Sequence, residues 1–385
     1  MKPITRRTCL TQFALAAAGT LPGVLRPFSA LAADGEPQPA ASEAESAAMF
    51  KIAHDLMEKS RVPGLSIAIA RHGQLLCEQG FGFADKSKSD PVTRDHLFRI
   101  ASISKPITAV AIFSLIEKRR LGLDDLIFGS SGLLKFDYGE KYPERVLKIT
   151  VRHLLNHTCG GWDNSGEIDP MFYRPELAHK ELITWTVHEQ PLQFEPGAHY
   201  SYSNFGFCLL GRVIEKITGQ SYADFVRQNI LAKCGVTDMR LGGNTLADRA
   251  PGEVVYYGQA GSGTNPYDMN ITRMDAHGGW IATPGDLVRF AMHVDGFKTT
   301  PSLLAADSIK NMTTASTANP HYACGWNVNA VPNWWHTGSL PGTQTILVRT
   351  ASGLCWAACA NTRAQGLNLD EFMWKMVKAV PAWRA

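Results

Sequence analysis

The sequence lacks the patterns that mark metal sites, nucleic-acid binding and repeat architectures. Its 385 residues include eight cysteines but no Cys-x-x-Cys pair and no His-Glu-x-x-His pattern, so we predict no metal site. Acidic and basic residues nearly balance at a formal net charge of +3, and no basic stripe is present that would bind nucleic acid or anionic lipid. No internal repeat or low-complexity block occurs. We therefore expect no nucleic-acid partner and no cofactor.

The sequence also has no apolar run long enough to span a membrane. The longest run near the N-terminus, Phe13 to Leu25, is shorter than the ~20 residues that a span needs. It follows paired arginines at positions 6 and 7 and precedes small residues at 30–32, so residues 1–32 resemble an export signal. Removing them takes away four basic and no acidic residues, which changes the net charge from +3 to −1.

We therefore expect an exported protein, located in the periplasm, with no stable membrane insertion after signal removal. The arginine pair favours the twin-arginine route, which carries folded cargo. The oligomeric state is left open by the sequence.

Cysteine is too sparse for a dense disulfide framework. Seven cysteines remain once residues 1–32 are removed, so at least one is unpaired. Cys355 and Cys359 lie four residues apart in one strand-like run, and a rise of about 3.3 Å per residue places them too far apart to bond each other. We interpret the cysteines as buried, inert thiols.

Periodic patterns place strands at both ends of the chain and helices between them. Residues 33–45 are rich in Ala, Pro and Glu and are predicted to form a flexible leader. A helix is predicted over 44–59, followed by a hairpin of strands at 65–70 and 75–83. Near the C-terminus we predict four strands and a last helix, at 322–331, 334–338, 344–349, 354–360 and 369–380.

These elements predict an α/β (α+β) fold with one central antiparallel sheet. The sheet is expected to be built from both chain ends, flanked by helices, with a mainly helical region inserted between the two parts. We assign residues 46–105 and 321–385 to the sheet-containing subdomain and residues 106–320 to the inserted helical subdomain.

Three short elements follow one another along the chain, separated by 100 and 134 residues. They are Ser102-Ile103-Ser104-Lys105, Tyr202-Ser203-Asn204 and His336-Thr337-Gly338. Each alone would occur by chance about once in a few hundred residues, but together they supply the parts for attack on a carbonyl. The first is a nucleophile with a base one helical turn away, the second a phenol with an amide, and the third a cation followed by a small strand-edge pair.

Ser102 precedes an apolar run from Ile107 to Ile116, which predicts a buried helix with Ser102 at its N-terminus. Lys105 would project from the same face and contact the serine oxygen. Burial is expected to lower the pKa of Lys105 so that it accepts the serine proton near neutral pH. The alternative is a serine N-cap followed by a surface lysine.

Tyr202 and Asn204 follow a turn formed by Pro196 and Gly197. We expect the nearby lysine cation to lower the pKa of Tyr202, which would let the phenol relay a proton to a leaving group. Asn204 would orient the lysine or donate to a substrate carbonyl. Aromatic packing is the alternative for Tyr202.

The segment Trp334 to Ser339 is typical of an edge strand, and Gly338 would admit a close-lying substrate. The backbone N–H groups of Ser102 and Ser339 are expected to form an oxyanion hole, which contributes roughly 3 to 4 kcal/mol per donor. His336 is either part of the binding site or a hydrogen-bonded structural histidine. Other histidines are interpreted as structural, including His157, His277 and His293. Four tryptophans either wall an apolar pocket or lie in the core: Trp162, Trp280, Trp334 and Trp335.

The three elements resemble the serine β-lactamase and penicillin-binding-protein superfamily, in particular its class C β-lactamase, DD-carboxypeptidase and family VIII esterase branch. The resemblance covers about Ala44 to Val380 and includes further segments at 149–158, 278–287 and 322–326. It implies a β-lactamase-like fold and a mechanism through an acyl-enzyme.

By the same resemblance, Ser102 is the acylated nucleophile and Lys105 and Tyr202 share the general-base work. Asn204 positions the substrate, and the strand of His336, Thr337, Gly338 and Ser339 lies beside it. The chain departs from the class C pattern at His336, where those enzymes carry lysine. A histidine is mostly neutral at pH 7 and anchors a carboxylate less firmly, so strong β-lactamase activity is not expected.

The sequence therefore predicts an exported serine hydrolase that cleaves an amide or ester through a Ser102 acyl-enzyme. The leading interpretation is a peptidase or amidase on small or D-residue-containing peptides. A family VIII-type carboxylesterase is the main alternative. A β-lactamase, an acyltransferase and a non-turnover penicillin-binding sensor are the others.

Overall fold

The computed structural model describes residues 41–164, 169–258, 264–381 and 383 of the chain. The predicted export signal and residues 33–40 of the predicted leader lie outside the described residues. Residues 43–45, which the sequence analysis placed in the leader, form the first turn of a helix that Ser42 and Glu45 cap reciprocally.

The described residues form two sheets and a set of helices between and around them. The strands are β1 (Gly64–Arg71), β2 (Gln74–Asp85), β3 (Asp90–Pro91), β4 (Phe98–Arg99), β5 (Arg240–Leu241), β6 (Trp280–Ala282), β7 (Asn327–Val328), β8 (Trp334–Leu340), β9 (Thr343–Arg349) and β10 (Leu354–Ala360). The helices are α1 (Glu43–Ser60), α2 (Ser104–Glu117), α3 (Val151–Leu155), α4 (Pro170–Tyr173), α5 (His179–Glu189), α6 (Asn204–Thr218), α7 (Tyr222–Asn229), α8 (Pro284–Met292), α9 (Ala306–Met312) and α10 (Leu369–Lys378).

The larger sheet joins the two ends of the chain, as predicted. Its strand order is β3-β2-β1-β10-β9-β8-β7, and each neighbouring pair is antiparallel. The junction is the pairing of β1 with β10, in which Leu65 lies opposite Ala360 and Arg71 opposite Leu354. The predicted α/β (α+β) fold with one central antiparallel sheet is confirmed. The predicted subdomain boundary between residues 105 and 106 falls inside α2.

The predicted strand over 322–331 is wrong in most of its length. Strand pairing in this segment is confined to β7 and to an isolated bridge between Tyr322 and Asn327. Gly325 bends the chain with φ +78°, and a Cβ added there would lie 2.8 Å from Ala109 of α2. The segment therefore turns against the central helix instead of extending. The other predicted strands near the chain ends differ from the observed ones by no more than two residues at either end.

Alternating side chains along β1 face two separate cores. Ile67 and Ile69 pack in the smaller core, with side chains of α1 and α10. Ala68 and Ala70 face the larger core, which includes α2, α6 and α8. The period of two is that of a strand buried on both faces. Among the described residues, no helix is long and apolar enough to cross a membrane.

The seven cysteines of the described residues are all free and buried, as predicted. Burial raises the pKa of each of these thiols. Cys355 and Cys359 point into the larger core from β10. Buried thiols with raised pKa values act as inert packing residues.

The smaller sheet positions the segment that leads to Ser102. It has the order β4-β6-β5, with Phe98 opposite Ala282 and Arg99 opposite Ile281. This pairing brings the residues just before α2 beside a segment almost two hundred positions later in the chain.

We predict that Trp356→Ala lowers the free energy of unfolding by about 3–5 kcal/mol, because it opens a cavity in the smaller core. Trp356 is fully buried on β10 and packs edge-on against Trp374 at a ring distance of 4.7 Å. Equilibrium urea unfolding measures the change. Val331→Ala is the matched control, since Val331 is 60% exposed and should change the value by less than about 0.5 kcal/mol. Equal effects of the two substitutions would contradict this assignment of the core.

Candidate active site

Ser102 lies on a short 3₁₀ turn, Ala101–Ile103, immediately before α2. The helix proper begins at Ser104. Ser102 therefore lies two residues before the helix N-terminus, whereas the sequence had predicted it at the N-terminus itself. Ala101 has φ +49°, a left-handed conformation that is unfavourable for a residue with a Cβ. The surrounding hydrogen bonds must therefore hold the turn in place.

Two threonines of β9 and one buried arginine hold this turn in place through hydrogen bonds. The hydroxyl of Thr343 donates to the carbonyl of Arg99 at 2.8 Å, and that of Thr345 donates to the carbonyl of Ile100 at 2.9 Å. The Arg99 guanidinium is fully buried and donates to the backbone carbonyls of Pro266 at 2.6 Å and Gly243 at 3.0 Å. Both sheets thus contribute to the position of Ser102.

Lys105 is fully buried and its amine has three hydrogen-bond partners. Nζ lies 3.0 Å from Ser102 Oγ, 2.7 Å from Asn204 Oδ1 and 3.0 Å from the backbone oxygen of His277. Burial lowers the pKa of Lys105 from 10.5 to about 7, and the more distant Asp169 carboxylate opposes this only in part. A neutral amine in this place donates to the two carbonyl-type oxygens and accepts the Ser102 proton.

Asn204 connects Lys105 to a buried carboxylate that the sequence analysis did not identify. Its Nδ2 donates to Asp169 Oδ2 at 2.7 Å, which leaves its Oδ1 facing Lys105. Asp169 Oδ1 accepts from the backbone N–H of Met171 at 2.9 Å, at the start of α4. Burial raises the pKa of Asp169. The carboxylate fixes the orientation of the amide, and no sequence motif links it to the other elements.

Tyr202 is buried beside both Ser102 and Lys105. Its hydroxyl is hydrogen-bonded to Ser102, and its ring centroid lies 4.8 Å from Lys105 Nζ. Burial raises the pKa of Tyr202 well above its ordinary value, and the hydrogen bond to Ser102 offsets this only in part. The expectation that Lys105 would lower the pKa of Tyr202 is therefore wrong, because desolvation of the phenolate outweighs the attraction of an amine that is itself half neutral at pH 7.

The strand β8 passes directly beside the turn that carries Ser102. Trp334, His336, Gly338 and Leu340 are buried, whereas the alternate residues Thr337 and Ser339 are exposed. A Cβ at Gly338 would lie 2.1 Å from the carbonyl oxygen of Ile100. Gly338 therefore allows the turn that carries Ser102 to approach β8 closely. The expectation that Gly338 makes room for a substrate is replaced by this contact.

His336 turns its ring into the protein and both ring nitrogens have partners. Nδ1 lies 2.7 Å from the carbonyl oxygen of Thr337, and Nε2 lies 3.1 Å from the hydroxyl of Tyr322. Burial lowers the pKa of His336 to about 3, with a further contribution from Lys105. The ring is therefore neutral, and it supplies no positive charge where class C enzymes carry lysine.

Two histidines that the sequence analysis interpreted as structural lie beside the three elements. The His157 ring packs against that of Tyr202 at 4.2 Å, and the backbone oxygen of His277 accepts from Lys105. Burial lowers the pKa of both histidines well below the ordinary value. His293, by contrast, contacts the carbonyl of Arg289 at the end of α8.

A cleft of about 580 Å³ opens onto Ser102 and Ser339. Its apolar lining includes Phe172, Tyr173, Met269, Met274, Leu340 and Pro341. Among the described residues, its charged lining consists of Asp169 and Arg363. The tryptophans considered as pocket walls do not line it: Trp162, Trp280 and Trp334 are buried, and Trp335 packs beside the smaller core.

The arrangement places the Ser102 hydroxyl within proton-transfer distance of the Lys105 amine. Within the ranges that the structure describes, no three His, Cys, Asp or Glu side chains are grouped to hold a metal. Of the eight residues selected from the sequence, Ser102, Asn204 and Ser339 line the cleft. Lys105 and Tyr202 contact Ser102, and His336, Thr337 and Gly338 precede Ser339 on β8.

We predict that Ser102 reacts with a fluorophosphonate at a rate that rises with pH through about 7, because Lys105 accepts the Ser102 proton only in its neutral form. Mass spectrometry of the labelled peptide measures the rate. Lys105→Met should abolish the labelling. Lys118→Met, at the exposed end of α2, should leave it unchanged. A rate that stays constant on both sides of neutral pH would contradict the assignment of Lys105 as the base.

Comparison with known proteins identifies one family. The family model described as "Beta-lactamase" matches residues 49–371. Penicillin-binding protein 4* of Bacillus subtilis is 30% identical over 313 residues, which cover 76% of this chain and 66% of that protein. Protein flp of Staphylococcus aureus is 30% identical over 189 residues, covering 48% of this chain and 36% of that protein. The chain thus spans about two thirds of the first relative and about a third of the second.

Solved structures show the same fold. The crystal structure of SurE has a TM-score of 0.68 at 25% identity and covers 87% of this chain and 77% of its own. The D-amino acid amidase from Ochrobactrum anthropi SV3, complexed with L-phenylalanine amide, has a TM-score of 0.70 at 24% identity, covering 87% and 98%. EstCE1, described as a hydrolase with promiscuous acyltransferase activity, has a TM-score of 0.67 at 19% identity. The match covers 88% of this chain and 98% of EstCE1. The predicted β-lactamase-like fold is confirmed.

Proposed function

The chain belongs to the beta-lactamase family, within the serine β-lactamase and penicillin-binding-protein superfamily of serine hydrolases, and from this premise we propose that it hydrolyses an amide or ester through an acyl-enzyme on Ser102. The observation that carries the proposal is the contact between Ser102 Oγ and the buried amine of Lys105 at 3.0 Å. A base with a pKa of about 7 is half deprotonated at neutral pH, which suits general-base catalysis.

In the first half of the reaction, Ser102 Oγ bonds to the substrate carbonyl carbon while its proton passes to Lys105 Nζ. The carbonyl oxygen becomes an oxyanion, for which we propose the backbone N–H groups of Ser102 and Ser339 as donors. The bond to the leaving group then breaks, and the leaving atom takes a proton from the hydroxyl of Tyr202. Lys105 returns its proton to Tyr202, so the acyl-enzyme forms with both groups neutral.

In the second half, water adds to the acyl carbon and the same groups act in reverse. The water proton passes to Lys105, directly or through Tyr202, and the acyl–Oγ bond breaks as Ser102 regains a proton. The raised pKa of Tyr202 keeps the phenol protonated between these steps, so it acts as a donor first. Asn204 holds Lys105 in line with Ser102 throughout.

We propose a small peptide or amino-acid amide, with a D-residue next to the scissile bond, as the substrate. Residues 337–340 of β8 have no strand partner on the β7 side among the described residues, since β7 pairs only with Trp334 and Trp335. An extended peptide can hydrogen-bond to such an open strand edge. The exposed side chains of Thr337 and Ser339 lie along this edge and are proposed to contact the substrate. The fold likeness to an enzyme named as a D-amino acid amidase supports the stereochemical choice.

The charges of the cleft also favour a substrate with an ammonium group and a carboxylate. Asp169 has no basic side chain within ion-pair distance among the described residues, and the neutral form of Lys105, present in about half of the molecules at pH 7, leaves its charge uncompensated. Arg363 likewise makes no ion pair with the described residues and is partly exposed. A free peptide carries an ammonium group that would pair with Asp169 and a carboxylate that would pair with Arg363. The apolar rim, including Phe172 and Met269, would hold its side chain.

A carboxylesterase is the second candidate. His336 is neutral and hydrogen-bonded at both nitrogens, so β8 offers no cation to bind a substrate carboxylate. An uncharged ester would need none. The fold likeness to EstCE1 is compatible with this candidate.

Export to the periplasm through residues 1–32 remains part of the proposal, as do the subdomain boundaries 46–105 with 321–385 and 106–320. A periplasmic location would place the enzyme where small peptides containing D-residues occur as cell-wall fragments.

We predict that Ser102→Ala and Lys105→Ala each abolish turnover while leaving the fold intact, because neither side chain contributes to the two apolar cores. Steady-state assays with circular dichroism as the fold check measure both properties. Lys118→Ala is the control for Lys105→Ala on the same helix. Retained turnover in purified Ser102→Ala protein would refute the mechanism.

We further predict comparable kcat/KM values for a matched ester and D-alanyl amide that share one acyl group. Protonation by Tyr202 should stabilise the poorer amide leaving group. The Ser102→Ala protein provides the blank rate. Cleavage of the ester alone would replace the peptidase proposal with the carboxylesterase.

A further inference from the structure

A chain of buried hydrogen bonds joins the backbone of the Tyr202 element to the backbone of the His336 element. The N–H of Ser203 lies 3.1 Å from His157 Nδ1, and His157 Nε2 lies 3.1 Å from the hydroxyl of Tyr322. The same hydroxyl lies 3.1 Å from His336 Nε2, and His336 Nδ1 lies 2.7 Å from the carbonyl oxygen of Thr337. The three side chains between the two backbones are all buried.

The chemistry of the end groups fixes the direction of every hydrogen bond in this chain. The N–H of Ser203 can only donate, so His157 Nδ1 carries no proton and Nε2–H donates to Tyr322. The carbonyl of Thr337 can only accept, so His336 Nδ1 carries the proton and Nε2 accepts from the Tyr322 hydroxyl. Both rings are neutral, and the Tyr322 hydroxyl oxygen is the one atom of this chain that both accepts and donates. Each ring nitrogen has a single defined role.

The same rings enclose Tyr202. The Tyr202 ring packs against His157 at 4.2 Å, against Tyr322 at 6.1 Å and against His336 at 6.3 Å. Its hydroxyl, at the far end of the ring, contacts Ser102. A rotation of either histidine would therefore change the position of the Tyr202 phenol relative to Ser102.

We propose that His157 and Tyr322 are positioning residues for the reaction: their hydrogen bonds hold the Tyr202 phenol at Ser102 and fix the separation between the Tyr202 segment and β8. His336 belongs to the same chain, which explains why its ring faces the protein interior. The kinetic consequence rests on the function proposed above. The tautomers of the two histidine rings do not depend on that function, and they can be measured in protein without a substrate.

Tyr322→Phe tests the proposal kinetically. The substitution keeps the ring but leaves His157 Nε2–H and His336 Nε2 unpaired in a buried place. We expect kcat to fall by about 10- to 100-fold with KM changed by less than about threefold, since misplacing a catalytic group acts on the transition state.

Tyr200→Phe is the matched control. Tyr200 packs against His157 at 5.9 Å and Tyr322 at 5.6 Å, but its hydroxyl has no hydrogen-bond partner among the described residues. The control removes one phenolic hydroxyl from the same aromatic cluster and should change kcat by less than about twofold. Equal kinetics for the two variants and the unmodified enzyme would overturn the positioning role.

A pair of His157 substitutions separates positioning from folding. Glutamine can still donate to the Tyr322 hydroxyl, whereas leucine has a similar volume and no polar atom. We expect His157→Gln to retain at least about tenfold more of kcat than His157→Leu when both proteins show a cooperative unfolding transition. Equal losses of kcat in the two variants would show that only packing matters at this position.

The ring tautomers provide the readout that does not depend on activity. In protein with 15N-labelled histidine, the ring N–H protons at His157 Nε2 and His336 Nδ1 should be among those that 1H–15N correlation spectra show as protected from solvent exchange. The His157→Gln and His336→Gln variants assign them. In Tyr322→Phe we expect the His157 signal to shift or to exchange rapidly with solvent. Opposite tautomers in the unmodified protein, or unchanged signals in Tyr322→Phe, would refute the hydrogen-bond chain, whether or not the enzyme cleaves the substrates tested above.

Discussion

Lys105 is buried, and no carboxylate of the described residues contacts its amine. Its Nζ has three oxygen partners, contributed by Ser102, Asn204 and the backbone of His277. These come from three separate parts of the chain, so the amine is in position only when the whole fold is complete. Desolvation lowers its pKa to about 7, and the same burial that destabilises the ammonium form makes the amine a useful base.

Both sheets hold the turn that carries Ser102 beside Lys105. β9 holds the carbonyls that precede Ser102 through two threonine hydroxyls, while β8 approaches the same turn at Gly338. The smaller sheet anchors the turn through Arg99. A sheet assembled from both chain ends can therefore position a residue from the N-terminal part against a strand that follows it by more than two hundred residues.

The sequence predicted those features that depend on local spacing. The separation of Ser102 and Lys105 by three residues places them together on any helix, and alternating apolar residues located most of the terminal strands. The strand predicted over 322–331 failed because Gly325 turns the chain against α2, which is a tertiary contact. The predicted direction of the Tyr202 pKa shift was wrong for a related reason. The sequence indicates a neighbouring lysine, but it does not indicate the burial that raises the pKa of the phenol by more than the lysine can lower it. Asp169 belongs to no motif recognised in the sequence. His157 lies in the family-like segment 149–158, but its contacts with Tyr202 and Tyr322 exist only in the folded chain.

For the export proposed above, the seven buried thiols of the described residues make it important whether the chain folds before or after transport. In the folded protein they are shielded from oxidants and have raised pKa values, so little reactive thiolate is present. An unfolded chain would expose all seven in an oxidising compartment, where non-native disulfides form readily. Under the proposed export, a chain that completes its fold before it leaves a reducing cytoplasm would avoid this, so the cysteine content favours transport in the folded state independently of the arginine pair.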